Sequence, residues 1–284
     1  MKRVEDKIFL VTGSTDGIGK QTALQLAKIG ATVILHGRSK EKCMAVMEEI
    51  HNRTGNHKLR YYLADFSSLT DVRRMAKEVS NQEVQIDVLI NNAGIGSGKL
   101  SNKRRSFSQD GYELRFAVNY LAPFLLTQLL LLTLKASSPS RIINVASIGQ
   151  KRIDLDNVML ERNYDPFDAY KQSKLALIMY TFELAQKLKS ENITVNCLHP
   201  GSLLNTKMVR ESIPIAFGSV KSGAASVVHL AISEELNHIT GKYFDKKQES
   251  QVDPQAYDRD FRQKLWEYSE QLTMLDSDIG SLKI

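Results

Sequence analysis

Val11-Thr12-Gly13-Ser14-Thr15-Asp16-Gly17-Ile18-Gly19-Lys20 is the stretch on which the fold turns. The apolar run Lys7–Thr12 before it reads as a buried strand, and Ile18–Ile29 directly after it has helical spacing. Glycines between a strand and a helix permit a sharp turn and let a pyrophosphate approach the backbone. The helix N-terminus then offers free N–H groups and the positive end of its dipole. The spacing Gly-x-x-x-Gly-x-Gly differs from the Gly-x-Gly-x-x-Gly of other dinucleotide folds. It is not a Walker A loop either. Five residues separate Gly13 from Gly19-Lys20, and Gln21 stands where a magnesium-holding Ser or Thr belongs. Gly13, Ser14, Thr15, Gly17, Ile18 and Gly19 are thus candidate phosphate contacts.

Outward from this loop, strand-like and helix-like runs alternate. Lys7–Thr12, Ala31–His36, Leu59–Ala64, Ile86–Asn91, Arg141–Ser147, Asn192–His199 and Gly241–Phe244 predict about seven strands, rich in Val, Ile and Leu as buried parallel strands are. Ile18–Ile29, Lys40–Arg53, Ser68–Ser80, Gln109–Lys135, Phe167–Ser190 and Val220–Glu234 predict helices. The alternation implies an α/β fold, one doubly wound parallel sheet covered on both faces. Residues 1–284 are expected to form a single domain with a helical tail over about 246–284, where Tyr257, Phe261, Leu265, Tyr268 and Leu272 form an apolar stripe.

The chain has 284 residues, 38 basic and 32 acidic, a net charge of +6. With 42% hydrophobic residues it is no disordered chain, collagen-like repeat or disulfide scaffold. Cys43 and Cys197 form no Cys-x-x-Cys and read as reduced thiols. None of the six histidines has zinc-site spacing, so no metal is expected. No signal peptide or membrane-length apolar run is present, and a cytoplasmic location is expected. Lys103-Arg104-Arg105 raises nucleic-acid binding as a rival, but Phe107 is its one aromatic companion. A pocket-rim loop is the better reading, and no nucleic-acid partner is expected.

Past the second strand, Arg38 stands where an acidic residue would accept from a ribose 2′-hydroxyl. An arginine there suits a 2′-phosphate, and Lys20 could add positive charge. Ser39 follows it. Asp65, after the third strand, could cap the next helix or accept from an adenine amine. Tyr170 and Lys174 lie one helical turn apart, and Ser147 ends the fifth strand. A neighbouring ammonium is expected to lower the tyrosine pKa from about 10, making Tyr170 an acid or base near neutrality.

Taken in order, Thr12-Gly13-x-x-x-Gly17-x-Gly19, Asn91-Asn92-Ala93-Gly94, Asn119, Ser147, Tyr170-x-x-x-Lys174 and Pro200-Gly201 resemble the short-chain dehydrogenase/reductase family over about residues 5–245. The resemblance implies a Rossmann-type fold, hydride transfer between NAD(P) and a carbonyl/alcohol pair, and a catalytic tetrad of Asn119, Ser147, Tyr170 and Lys174. In it, Asn119 would position a water leading from Lys174 to solvent. Asn91–Gly94 would stabilise the sheet and line the cofactor, and Pro200-Gly201 would flank the nicotinamide. Cofactor contacts would come from the loop glycines, Arg38, Ser39, Asp65, Phe66, Asn92, Ala93, Gly94, Tyr170, Lys174, Pro200, Gly201 and Thr206.

Arg38, the long Ser147–Tyr170 interval and Tyr170-x-x-Ser173-Lys174-Leu175-Ala176 are similar to the retinol-dehydrogenase-like subgroup. His36 departs from the small residue often found there, Thr206 falls one place late, and a membrane-anchoring segment is absent. NADP(H) is the expected cofactor, with NAD(H) the second choice. Leu100, Met159, Phe167, Met208, Ile213 and Phe217 suggest a hydrophobic carbonyl substrate. The rival of another class is a cofactor-binding regulatory or scaffold protein without turnover, but its mark, a broken tetrad, is missing. The apolar run Leu121–Leu134 and the helix Phe167–Ser190 suggest subunit pairing, as related enzymes commonly pair there, into a homodimer or homotetramer.

Overall fold

The structure is a computed structural model that describes residues 2–98, 104–212, 216 and 218–275. Its elements are β1 (Ile8–Val11), α1 (Gly17–Lys28), β2 (Thr32–Gly37), α2 (Lys40–Thr54), β3 (Leu59–Leu63), α3 (Leu69–Gln82), β4 (Val88–Asn91), α4 (Leu114–Phe116), α5 (Ala122–Leu129), α6 (Leu131–Lys135), β5 (Ser140–Val145), α7 (Pro166–Lys187), β6 (Ile193–His199), α8 (Lys207–Ser212), α9 (Val220–Ile232), β7 (Tyr243–Asp245), β8 (Gln248–Glu249) and α10 (Arg259–Thr273). Strand order is β3-β2-β1-β4-β5-β6-β7-β8. All pairs are parallel but the last, β7 with β8. The sheet therefore has an eighth, antiparallel strand beyond the seven expected. Gln248-Glu249 is too short and polar to show strand alternation.

Side-chain alternation along each strand sorts the interior into two layers. Leu10, Ile34, Leu89, Ile142 and Val195 face α3, α5 and α7. Phe9, Val33, Val88, Ile143 and Leu198 face α1, α2 and α9. A buried polar chain ties β4 and β5 to the helices. Asn91 Nδ2 donates to Thr127 Oγ1 (3.0 Å) and Asn144 Oδ1 (2.8 Å), and Asn144 Nδ2 donates to Thr181 Oγ1 (2.9 Å).

The order reverses at β1, which has β2 on one side and β4 on the other. The carboxyl ends of β1 and β4 open a crevice there, the usual ligand position in such sheets.

The expected helix Gln109–Lys135 is broken. It starts at Leu114, with Glu113 capping it by accepting from Phe116 N (2.8 Å). A π-helical turn, Ala117–Leu121, follows before α5, and Leu130 interrupts the end. Pro123 supplies one cause: it has no N–H to give the carbonyl of Asn119, four residues earlier. Among the described residues no helix is long and apolar enough to cross a membrane.

Candidate active site

The phosphate loop is held by close approach and by one side chain that the sequence marked only as a departure. Gly13 (φ +63°) lies so near Ala93 that an added Cβ would be 2.7 Å from the Ala93 Cα. At Gly19 a Cβ would stand 2.3 Å from the Gly13 carbonyl oxygen, so glycine is required at both positions. Asn92 Nδ2 donates to Thr12 O (2.8 Å) and Gly13 O (3.1 Å), while Thr12 Oγ1 accepts from the backbone of Asn92 and Ala93. His36, buried, accepts from Gly13 N on Nδ1 (3.0 Å). Its Nε2 therefore carries the proton and donates to Ala64 O (3.1 Å). Burial holds the imidazole neutral, its pKa near 4. Its ring stacks on Phe66, centroids 4.3 Å apart. Ser14 N and His36 O, with the Ser14 hydroxyl and His36 N, complete the fastening. Thr206 sits against the loop, its Cγ2 3.4 Å from where a Gly17 Cβ would be.

Beside the loop is a cleft of about 370 Å³ lined by Thr15, Arg38, Ser39, Lys42 and Asp65. Arg38 is exposed there. Lys42 was missed in sequence, although it lies one helical turn beyond Arg38. Lys20 is not part of this cleft: it pairs with Glu49 of α2. Asp65 is not the cap of α3. Ser68 takes that role by accepting from Asp71 N (3.2 Å), and the Asp65 carboxylate accepts from Ser67 N (3.0 Å) within its own turn.

Past β5 and on α7 the structure brings Ser147, Tyr170 and Lys174 together. The Ser147 hydroxyl, which accepts from Gly149 N (3.1 Å), lies on the Tyr170 side of that turn. Burial raises the Tyr170 pKa and the neighbouring Ser147 hydroxyl opposes it, so the expected depression is not found. Lys174 does not offset the burial. Its Nζ donates to Val145 O (2.9 Å), stands 5.9 Å from the Tyr170 ring centroid, and is itself pushed down to about 8 by burial. The Tyr243 hydroxyl donates to Ser147 O (3.2 Å) from β7.

Asn119, in the π turn, is fully buried. Its Oδ1 accepts from Ile95 N (2.8 Å), and its Nδ2 donates to Ile95 O (3.0 Å) and Ser173 Oγ (3.0 Å). The side chain thus pins the strand-end loop to α7 and is spent on that task. Gly94 separates it from Lys174; a Cβ there would be 3.1 Å from Asn119 Oδ1 and 3.5 Å from Lys174 Nζ.

The loop after β4 is anchored from beneath by Arg115, a second omission of the sequence reading. The buried guanidinium donates to Gly96 O (3.1 Å), Ser97 O (2.5 Å) and Tyr164 Oη (2.7 Å), and pairs with buried Glu113 (3.2 Å). From above, Met208 covers Gly96, its Cγ 2.8 Å from where a Cβ would be. Arg105 folds over the Phe107 ring (4.7 Å) towards Glu161 (3.8 Å). Pro200-Gly201 follows β6, with Gly201 at φ +132°. Lys103, Leu100, Ile213 and Phe217 lie outside the described residues.

Comparison with known proteins agrees with this geometry. The short chain dehydrogenase family model matches residues 7–214. Human retinol dehydrogenase 13 is 39% identical, covering 96% of this chain and 86% of that protein. Among solved structures, an uncharacterized protein from Mycobacterium paratuberculosis superposes with a TM-score of 0.77 at 29% identity, covering 95% and 94% of the two chains. The NADP active-site complex of Pseudomonas aeruginosa RhlG gives 0.69 at 27% identity, covering 86% and 97%.

Proposed function

The chain belongs to the short-chain dehydrogenase family, and from that premise we propose that it interconverts a hydrophobic carbonyl and its alcohol with NADP(H), in preference to NAD(H). The observation that carries the reading is the gathering of Ser147, Tyr170 and Lys174 past the carboxyl end of β5, with Ser147 and Tyr170 both against Gly149 and Lys174 Nζ 5.9 Å from the Tyr170 ring.

The residues fit a dinucleotide. Gly13 and Gly19, where a Cβ would strike Ala93 and the Gly13 carbonyl, let the loop fold tightly on itself at the first turn of α1, whose N–H groups suit a pyrophosphate. Arg38 and Lys42 line the adjoining cleft with two positive charges suited to a 2′-phosphate. When bound, NADP(H) supplies or takes up the hydride. The chain does the rest. Ser147 and Tyr170 donate to the carbonyl oxygen, where negative charge grows during reduction. Tyr170 gives up its proton to that oxygen, and in oxidation the phenolate takes one from the alcohol. Lys174, on the same face one turn away, holds the ribose and steadies the phenolate. A water between Lys174 and solvent falls to the backbone carbonyl of Asn119, since Pro123 cannot donate to it and the side chain is engaged.

The hydrophobic substrate class rests on Met208 above Gly96 and on relatives named for long apolar alcohols, retinol and polyprenol. The test is a turnover screen of long-chain and aromatic aldehydes, ketones and alcohols with both cofactors, followed by nicotinamide absorbance. Turnover of hydrophobic members with NADPH supports the proposal. Tight NADPH binding with no turnover of any member would favour the rival, a regulatory protein of the same fold.

A further inference from the structure

On the reading of Ser147 as a donor to the reacting oxygen, we infer that the side chain of Gln255, with Gln150 and the backbone of Asp253, positions it. The tail of the chain ties the loop that carries Ser147 to the helix that carries Tyr170 and Lys174. Past β5 the backbone leaves the sheet. Ala146 N still donates to Leu198 O (2.8 Å), and residues 146–154 then run without regular structure. Such a stretch has no ladder to set its course, and its backbone N–H and C=O groups must find partners elsewhere.

Those partners come from the far end of the chain. The Gln255 side-chain amide lies against Ile153 as a neighbouring strand would. Its Oε1 accepts from Ile153 N (2.8 Å) and its Nε2 donates to Ile153 O (2.8 Å). Asp253 N donates to Gln150 Oε1 (2.8 Å), and Gln150 Nε2 in turn donates to Ser147 O (3.4 Å). The Tyr243 hydroxyl meets the same carbonyl from β7. Held from two sides, the Ser147 carbonyl fixes the orientation of its peptide. Ser147 Oγ accepts from Gly149 N, which leaves its own proton free to donate. Ile153, buried, anchors the far end of the loop.

The segment that supplies these groups is itself bound to α7. Asp253 Oδ1 accepts from Gln255 N (2.9 Å) and starts the 3-10 turn Pro254–Tyr257, in which Ala256 is fully buried. Tyr257 stacks on Phe182 of α7, centroids 5.7 Å apart at 26°. Arg262 joins the turn to the same helix: its Nη1 donates to Ala256 O (3.0 Å) and its Nε pairs with Glu183 (3.2 Å). One short turn thus holds the Ser147 loop on one side and α7 on the other. Tyr170 and Lys174 sit on α7, so this turn helps set the distance between Ser147 and the phenol. Two donors must converge on one oxygen, and a misplacement of about 1 Å can cost on the order of 10²-fold in rate. Gln255 bonds Ile153, so it acts on the reaction through the loop.

The test is Gln255→Ala in the full chain, alone and combined with Ser147→Ala, assayed with NADPH and the best carbonyl of the turnover screen. Gln255→Ala alone should lower kcat by about tenfold or more, while the carbonyl KM and the NADPH dissociation constant stay within about twofold. In the Ser147→Ala background the same substitution should cost nothing further, because the loss passes through Ser147. Equal losses in both backgrounds would show a general structural role and overturn the proposal. So would an unchanged kcat in Gln255→Ala beside a large loss in Ser147→Ala, an outcome that leaves the donor role of Ser147 standing. An unchanged kcat in Ser147→Ala would instead overturn that donor role, and the positioning with it. A second arm needs no turnover. In Gln255→Ala the amides of 147–153 should exchange with solvent about tenfold faster, while those of 170–187 do not. Unchanged exchange in the loop would overturn the proposal by itself. If Gln255→Ala does not fold, Gln150→Ala, which breaks only the link from Asp253 to Ser147, takes its place in both arms.

Discussion

The backbone N–H of Gly13 donates to Nδ1 of His36 at 3.0 Å, so the phosphate loop is fastened by an imidazole that must remain neutral. Protonation would turn that acceptor into a donor facing a donor. Burial sets the folded pKa near 4 against 6.5 for the free side chain. Between these values the unfolded chain binds a proton that the folded chain refuses. Stability is therefore lost as pH falls from about 6.5 to 4, by roughly 3 kcal/mol from this group alone.

His36→Asn tests that expectation. The amide oxygen can still accept from Gly13 N, but the group no longer titrates. The variant should be less stable at neutral pH, having lost the bond to Ala64, yet its urea midpoint should fall less between pH 7 and 5. Parallel slopes for the two proteins would show that His36 does not govern the acid limb.

Tyr170→Phe keeps the ring and removes the proton carrier. Turnover should fall by about 10²-fold or more, the usual scale of general acid catalysis, while NADPH still binds. Because burial raises the Tyr170 pKa, the phenol stays protonated through neutral pH. Carbonyl reduction should thus be flat from pH 6 to 8 in wild type, and alcohol oxidation, which needs phenolate, should rise with pH. Initial rates in both directions check this.

The alternation of strands and helices and the glycine-rich turn after β1 were legible because each rests on local pattern. Strand β4 ends in Asn91-Asn92-Ala93-Gly94, and glycine is required wherever backbone meets backbone, as at Gly13 and Gly19. The sequence did not disclose what depends on distant packing. Lys20 and Lys42 look equally suited to phosphate, and only the placement of Glu49 separates them. The engagement of the Asn119 side chain with Ile95 and Ser173 follows from a helix break that apolar periodicity hides. Arg115, within an apolar stretch, gave no signal that Gly96, Ser97 and Tyr164 from two distant loops, with its neighbour Glu113, converge on it.

Arg115 supports the loop after β4 while neutralising buried Glu113. Removing one member of a buried pair leaves the other charge uncompensated, at about 3–5 kcal/mol. Arg115→Met should lower stability on that scale. Adding Glu113→Gln should restore part of it, because the stranded carboxylate is gone. A double-mutant cycle by urea unfolding measures the coupling. Additive losses would show that the two side chains act separately.

The last prediction concerns Arg38 and Lys42, which line one cleft with Thr15, Ser39 and Asp65. A charge-assisted hydrogen bond contributes about 1.5–3 kcal/mol, or roughly one to two factors of ten in affinity. NADPH should bind more tightly than NADH by at least that margin. Arg38→Asp repels a 2′-phosphate and offers an acceptor to a free 2′-hydroxyl, so it should erase or reverse the preference. Lys20 cannot compensate, being paired with Glu49. Lys42 can, so Arg38→Asp should keep residual NADPH binding that Arg38→Asp with Lys42→Ala loses. Dissociation constants for both nucleotides in wild type and the two variants decide the matter. Equal affinity of wild type for NADH and NADPH would show that neither cation reads the phosphate, whatever the enzyme reduces.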